Sequence, residues 1–183
     1  IHRLGNEDEK FEQVLQSLET AELTPAENYL DLYPHQLSGG QRQRVMIAKA
    51  LVLNPKFIVA DEPVSMLDVS IRASILNLLK KIAEEESLGM LYISHDLSTI
   101  RHICLRTAIM YLGKIVEIGT TEDLIHHPFH PYVQALLSSV PVPDPDYHRQ
   151  RVNLTGEVST PLDLPQGCRF APRCSNASPV CRE

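Results

Sequence analysis

Two periods alternate along the apolar positions of this chain. Phe11, Val14, Leu15 and Leu18 recur at i, i+3, i+4 and i+7 with Glu and Gln opposite, which predicts an amphipathic helix over residues 9–23. Thr24 and Pro25 offer an N-cap and a first-turn proline for a short helix to about Leu32, which Tyr33-Pro34-His35 ends. Ser38 then precedes a run with Val45, Ala48, Leu51 and Val52 on one side. That helix must stop at Asn54-Pro55, because proline has no donor and its ring clashes with the preceding turn. Residues 56–60, Lys-Phe-Ile-Val-Ala, switch to a continuous β-rich apolar run, the kind covered on both faces of a parallel sheet. Helical spacing returns over residues 70–87, with Ile71, Ile75, Leu78, Leu79 and Ile82 inward and Gly89 as the closing residue. Residues 90–93 predict a second strand, and Asp96 can cap a short helix to about Ile103. Residues 107–111 and 114–118 read as a hairpin turned by Leu112-Gly113, Thr120-Thr121-Glu122-Asp123 caps another short helix, and residues 132–140 form the last amphipathic one.

This alternation of strand and helix implies an α/β fold with a parallel or mixed sheet flanked by helices. At Pro141, Pro143 and Pro145 the composition shifts, so a boundary is expected near residue 141, with a separate small irregular module beyond it. A chain of 183 residues, 43% hydrophobic and 22% charged, suits one sizeable core plus such a tail. The net charge of -6 argues against a nucleic-acid partner, although Arg42 to Arg44 could form a local basic patch. No apolar run reaches the roughly 18 residues of a spanning helix. The opening Ile1-His2-Arg3-Leu4-Gly5 has neither a signal peptide's apolar core nor an initiator methionine, and so reads as a soluble piece of something longer. Three of the four cysteines fall in the last sixteen residues with Cys104 alone, which is no secreted disulfide framework and fits a reducing cytoplasm.

Several stretches carry candidate chemistry. Ser38-Gly39-Gly40-Gln41 places two adjacent glycines behind a capping serine, so free N–H groups at a helix start could hold an anion. Ser-Gly-Gly is also an ordinary turn before a helix, and on these residues alone both readings stand. The strand over residues 56–60 ends in Asp61-Glu62-Pro63, at the sheet edge where α/β proteins bind ligands. Asp68 lies in the loop beyond, and the second strand ends in Ser94-His95-Asp96.

In this order the motifs resemble the second half of an ABC-type ATPase, over about residues 33–140. That resemblance implies a partial P-loop NTPase domain, in which residues 1–36 are what remains of a helical subdomain and residues 37–140 carry the signature helix, Walker B and switch regions. Leu37 to Gln41 match the signature loop, whose Ser38, Gly39, Gly40 and Gln41 would close over the γ-phosphate of ATP held by a partner subunit. Asp61 matches the aspartate that holds Mg²⁺ through its water shell, a role for hard oxygen ligands. Glu62 matches the glutamate that orients and deprotonates the attacking water, and His95 the switch histidine at the γ-phosphate. Ser65-Met66-Leu67-Asp68 matches the loop by which the two subunits sense each other's site, with Met66 in place of the commoner alanine. Hydrolysis would therefore require a homo- or heterodimer. No G-x-x-x-x-G-K-[ST] loop and no glutamine loop is present. The resemblance puts both upstream of Ile1, so this chain by itself is expected neither to bind ATP tightly nor to hydrolyse it.

Four stretches look like the ATPase subunits of dipeptide/oligopeptide importers: Tyr33-Pro34-His35-Gln36-Leu37, Asp68-Val69-Ser70-Ile71, residues 110–117 (Met-Tyr-Leu-Gly-Lys-Ile-Val-Glu) and residues 130–137 (His-Pro-Tyr-Val-Gln-Ala-Leu-Leu). The His-Pro spacing around residues 126–131 does not hold those histidines on one face, so packing explains them better than a metal does. Cys168, Cys174 and Cys181 form C-x5-C-x6-C in a tail too poor in apolar residues to fold by burial alone. In this family such a pattern continues to a fourth cysteine, and some members hold a [4Fe–4S] cluster. Zinc or free thiols are the other readings, while Cys104 reads as a thiol at the edge of a core. The family implies permease partners in the membrane, an extracytoplasmic peptide-binding protein acting through them, and a peripheral place on the cytoplasmic face. A soluble ABC ATPase of DNA repair or translation, and a metal-binding regulatory tail, are the competing classes. Dipeptide, oligopeptide and nickel transport are not separated by these residues.

Overall fold

A computed structural model describes residues 5–140, 154 and 164–183. It divides into two compact units, one up to Ile103 and one from Cys104. That division lies away from the compositional change near residue 141, because residues 168–174 fold back onto the unit from Cys104, through contacts that composition does not reveal. Residues 141–153, where the boundary was expected, lie outside the described residues.

The first unit contains α1 (Glu7–Thr20), two 3-10 turns (Ala26–Tyr29 and Pro34–Gln36), α2 (Gly39–Leu51), β1 (Phe57–Asp61), α3 (Val69–Glu85), β2 (Gly89–Ile93) and α4 (Leu97–Ile103). α1 starts two residues before its expected position, because Asn6 and Glu9 cap each other reciprocally: Glu9 N donates to Asn6 Oδ1 at 2.8 Å and Asn6 N to Glu9 Oε2 at 2.9 Å. Pro25 itself occupies the cap of the following 3-10 turn, so the expected capping by Thr24 does not occur. Leu18, Leu23, Ile47, Leu51, Ile75, Leu78, Leu79 and Ile82 make one core among α1, α2 and α3.

β1 and β2 are parallel, with Ile58 opposite Met90 and Ala60 opposite Tyr92. The α3 crossover between them is the βαβ arrangement that parallel pairing demands. The expectation of cover on both faces is not met. Ile58, Met90 and Tyr92 pack on the core, while Phe57, Val59, Leu91 and Ile93 on the other face are 58%, 57%, 49% and 42% exposed. Side chains alternate across a strand, and the helices of this unit cover one side only. Gly89 does not close α3. Ser87 takes the left-handed position (φ 51°), and Gly89 opens β2, where a β-carbon would lie 2.8 Å from Cδ2 of Phe57.

The second unit holds β3 (Arg106–Tyr111), β4 (Lys114–Thr120), α5 (Thr121–His126), α6 (Pro131–Ser138) and two 3-10 turns, Ala171–Arg173 and Pro179–Arg182. β3 and β4 form the expected antiparallel hairpin, and Leu112 and Gly113 both have positive φ, as a two-residue turn matched to strand twist requires. Thr120 caps α5 by accepting from Asp123 N at 3.2 Å. No described helix is long and apolar enough to cross a membrane.

Candidate nucleotide and hydrolysis site

The candidate residues lie in two places in the first unit: at the start of α2, and at the C-terminal ends of β1 and β2 with the loop that follows β1. Ser38 caps α2, its Oγ accepting from Gln41 N at 3.2 Å, while Gln41 Oε1 accepts from Ser38 N at 2.9 Å. This capping box uses the Gln41 carbonyl oxygen, so the first-turn amides left at the positive end of the helix are those of Gly39 and Gly40. The anion-binding reading of the loop thus has a physical basis, with Gln41 as a brace for the loop.

β1 ends at Asp61, and Glu62 follows with φ 47°, a left-handed backbone unusual for a residue with a β-carbon. Its N–H still donates to Ile93 O at 2.9 Å, which holds the turn against the end of β2. The carboxylate reaches across: Glu62 Oε1 lies 2.7 Å from His95 Nδ1 and accepts from His95 N at 3.0 Å. A Nδ1–H tautomer satisfies this geometry and leaves Nε2 as the ring nitrogen for a ligand. His95 is 79% exposed in its side chain and Glu62 35%, so the pair is open to solvent.

Asp68 occupies the N-cap position of α3 but makes no side-chain cap bond, so its carboxylate is not consumed locally. Met66 in the same loop is 97% exposed. Asp96 starts α4 as expected, accepting from Ser98 N at 2.9 Å and from Ser98 Oγ at 2.5 Å. The Ser98 hydroxyl, with help from the Ser98 amide and the Arg72 guanidinium and against some desolvation, holds the Asp96 carboxyl below its ordinary value of 3.8.

Two arginines matter, one that the sequence reading did not single out and one that it gave another role. Arg72 donates to Leu67 O at 3.4 Å and to Asp96 Oδ2 at 3.3 Å, tying the Asp68 loop to the segment after β2. Its only signal was a place four residues after Asp68, on the same helix face. Arg44 is not part of an open basic patch: 16% exposed in its side chain, it donates to Ala21 O at 3.0 Å, Glu22 Oε2 at 2.6 Å and Ser74 Oγ at 2.8 Å.

In the second unit Cys168, Cys174 and Cys181 lie on the segment that follows residue 164. Cys168 N donates to Cys181 O at 2.9 Å, yet all three are free thiols, and among the described residues no group of three His, Cys, Asp or Glu is placed to hold a metal. What fixes the segment is Phe170, 1% exposed, its ring 5.1 Å from Tyr111 and 5.4 Å from both Tyr132 and His130. The Arg169 guanidinium also donates to Leu112 O in the hairpin turn. Burial raises the Cys104 thiol pKa, as a core-edge position implies.

The model of the ABC transporter family matches residues 2–65, and that of the oligopeptide/dipeptide transporter C-terminal region matches residues 116–181. The chain is 50% identical over 175 residues to the dipeptide transport ATP-binding protein DppF of Haemophilus influenzae, covering 96% of this chain and 53% of that protein. It is 48% identical over 184 residues to the oligopeptide transport ATP-binding protein AppF of Bacillus subtilis, covering 100% of this chain and 55% of that protein. Among solved structures, the dimeric MJ0796, a bacterial ABC transporter cassette, superposes with TM-score 0.55 and 33% identity over 66% of this chain and 51% of that one. The ADP conformation of MJ1267, an ATP-binding cassette of an ABC transporter, gives TM-score 0.61 and 26% identity over 74% of this chain and 52% of that one. The chain spans about half the length of the curated relatives it matches. Its motifs, its fold and these likenesses together make it a member of the ABC transporter ATP-binding proteins, in their oligopeptide/dipeptide branch.

Proposed function

We propose that this chain carries the signature, hydrolytic and switch part of the energy-coupling ATPase of a dipeptide/oligopeptide importer. The observation that carries the reading is the Glu62–His95 pair at the mouth of a parallel β1–β2 unit, directly after Asp61. Glu62, anchored by its backbone to β2, is the general base for the attacking water, and its hydrogen bond from His95 orients the carboxylate. His95 Nε2 contacts the transferred phosphoryl group. Asp61, an exposed strand-end carboxylate, suits the hard oxygen coordination of Mg²⁺, which when bound neutralises phosphate charge. The Gly39 and Gly40 amides receive the γ-phosphate of ATP carried by a second ATPase subunit, of the same or another kind, and Asp68 faces that subunit. The assembly works with permease subunits at the cytoplasmic face of the membrane and, through them, with a peptide-binding protein.

The test is magnesium-dependent ATP hydrolysis by the protein expressed from its complete reading frame. Glu62→Gln should retain nucleotide binding and lose turnover by about 100-fold or more. Unchanged turnover in that variant would remove the assignment. The 183-residue chain by itself should show neither tight ATP binding nor hydrolysis, and measurable magnesium-dependent activity from it would contradict that expectation.

A further inference from the structure

The two glycines of the Ser38 loop do different work. A methyl group placed on Gly39 would meet only Cδ2 of Leu67, at 3.6 Å, an ordinary contact with the movable end of a side chain. The same group on Gly40 would lie 2.9 Å from Cγ2 of Ile71, closer than carbon atoms approach. Cγ2 sits one bond from the β-carbon of a β-branched residue, and in a helix such a side chain has one strongly preferred rotamer. It has no cheap way to swing aside. Gly40 is itself buried and Gly39 half-buried, so the α-carbon of Gly40, and not that of Gly39, is the one packed tightly against α3.

Ile71 stands in the first turn of α3, three residues after its cap Asp68. The first turn of α2 therefore touches the turn that carries Asp68. One turn further along both helices, Arg44 donates to Ser74 Oγ at 2.8 Å. Two contacts on successive turns, Gly40 with Ile71 and Arg44 with Ser74, fix both the sliding and the roll of α2 on α3. The neighbour of Ile71, Arg72, extends the tie to Leu67 O and Asp96.

We infer that Ile71 is a positioning residue: seated on Gly40, it sets the distance between the phosphate-facing amides of the Ser38 loop and the Asp68 loop, so that the two move as one body. The inference rests on the proposed ATPase role for its kinetic consequence, and on packing alone for the contact. Every part of it lies within the first unit.

The experiment uses the protein from its complete reading frame, with single and double variants at the two positions. Gly40→Ala should lower the melting temperature by about 5 °C through overpacking. Its turnover of MgATP should fall by about tenfold or more with KM for ATP within about twofold, the signature of lost positioning. Ile71→Ala, which removes Cγ2, should return the Gly40→Ala protein to within about threefold of the Ile71→Ala turnover, and the two melting shifts should not add. Ile71→Val keeps both γ-positions and should rescue nothing. Additive melting shifts, wild-type turnover in Gly40→Ala, or equal rescue by valine and alanine would each overturn the proposal. Absence of ATP hydrolysis in the wild-type protein would instead remove the functional reading and the kinetic half with it, while coupling between the melting shifts still decides whether Ile71 seats on Gly40.

Discussion

The Ser38 loop and the Cys168 segment are the two motif-bearing stretches at opposite ends of the chain, and they are held by opposite means. Ser38 and Gln41 fix each other three positions apart, and the helix they start carries the arrangement directly into the core. The Cys168 segment depends on partners far away in sequence: Arg169 reaches a carbonyl 57 positions earlier, and Phe170 fills a space among Tyr111, Tyr132 and His130. A short-range brace survives changes elsewhere, whereas a remote anchor concentrates the stability of a whole segment in one side chain. The three thiols of the tail sit on a segment that an aromatic ring anchors.

The sharpest way to break this contrast is Phe170→Ala, which should cost about 3–5 kcal/mol as a fully buried ring is removed. Amide exchange read by mass spectrometry should show residues 164–183 losing protection while residues 38–51 keep theirs. Equal loss in both would dissolve the distinction. Arg44→Ala acts on the other side, removing three hydrogen bonds from a largely buried guanidinium, and should cost about 2 kcal/mol by urea unfolding, with the core of α1, α2 and α3 affected first. Ser38→Ala removes one cap and should cost about 1 kcal/mol, leaving the tail unchanged.

The smallest expected effect is one of pH. Burial lowers the His130 pKa below its ordinary 6.5, opposed by the Glu117 carboxylate. Its Nδ1 accepts from Tyr132 N at 3.1 Å and so must be unprotonated to cap α6, while the His130 backbone N–H donates to Glu117 Oε2 at 2.8 Å. The folded pKa lies below the unfolded one, so this stabilisation is present above about 6.5 and is lost as pH falls through the folded value. The tail should lose amide protection on going from neutral to mildly acid solution, before the Ser38 helix does. Asp96 works in a lower window: its contribution is present above 3.8 and is lost as pH falls through its lowered folded value, so the Ser94 to Ser98 turn should loosen only in strong acid.

How much could be read in advance follows the same division. Ser38 as a cap, the stop at Asn54-Pro55, the strands ending at Asp61 and Ile93 and the Leu112-Gly113 turn all depend on residues within a few positions of one another, and each formed close to where the sequence puts it. The pairing of Glu62 with His95 required that β1 and β2 be neighbours, which the βαβ spacing implied without giving a distance. Arg72 and Phe170 were illegible, and Arg44 was read as surface charge, because their partners lie across the fold and nothing nearby in sequence marks them. The exposed face of the sheet has a related cause: an apolar run says that a strand wants cover, and the described residues supply it on one face only. The anchoring of the cysteine segment by Phe170 was hidden because its aromatic partners lie far upstream.

The backbone of Glu62 makes that position a filter on substitution. With φ at 47°, a residue bearing a β-carbon gives up roughly 1–2 kcal/mol that glycine would not. Glu62→Gly should therefore melt higher than Glu62→Ala, and Glu62→Val, with two γ-methyls beside the same backbone, lower than either. The contacts of the Glu62 carboxylate with His95 offset part of that cost. The general-base role proposed for its carboxylate would account for keeping it, and the ranking of these three variants in thermal unfolding measures the stability given up at this position.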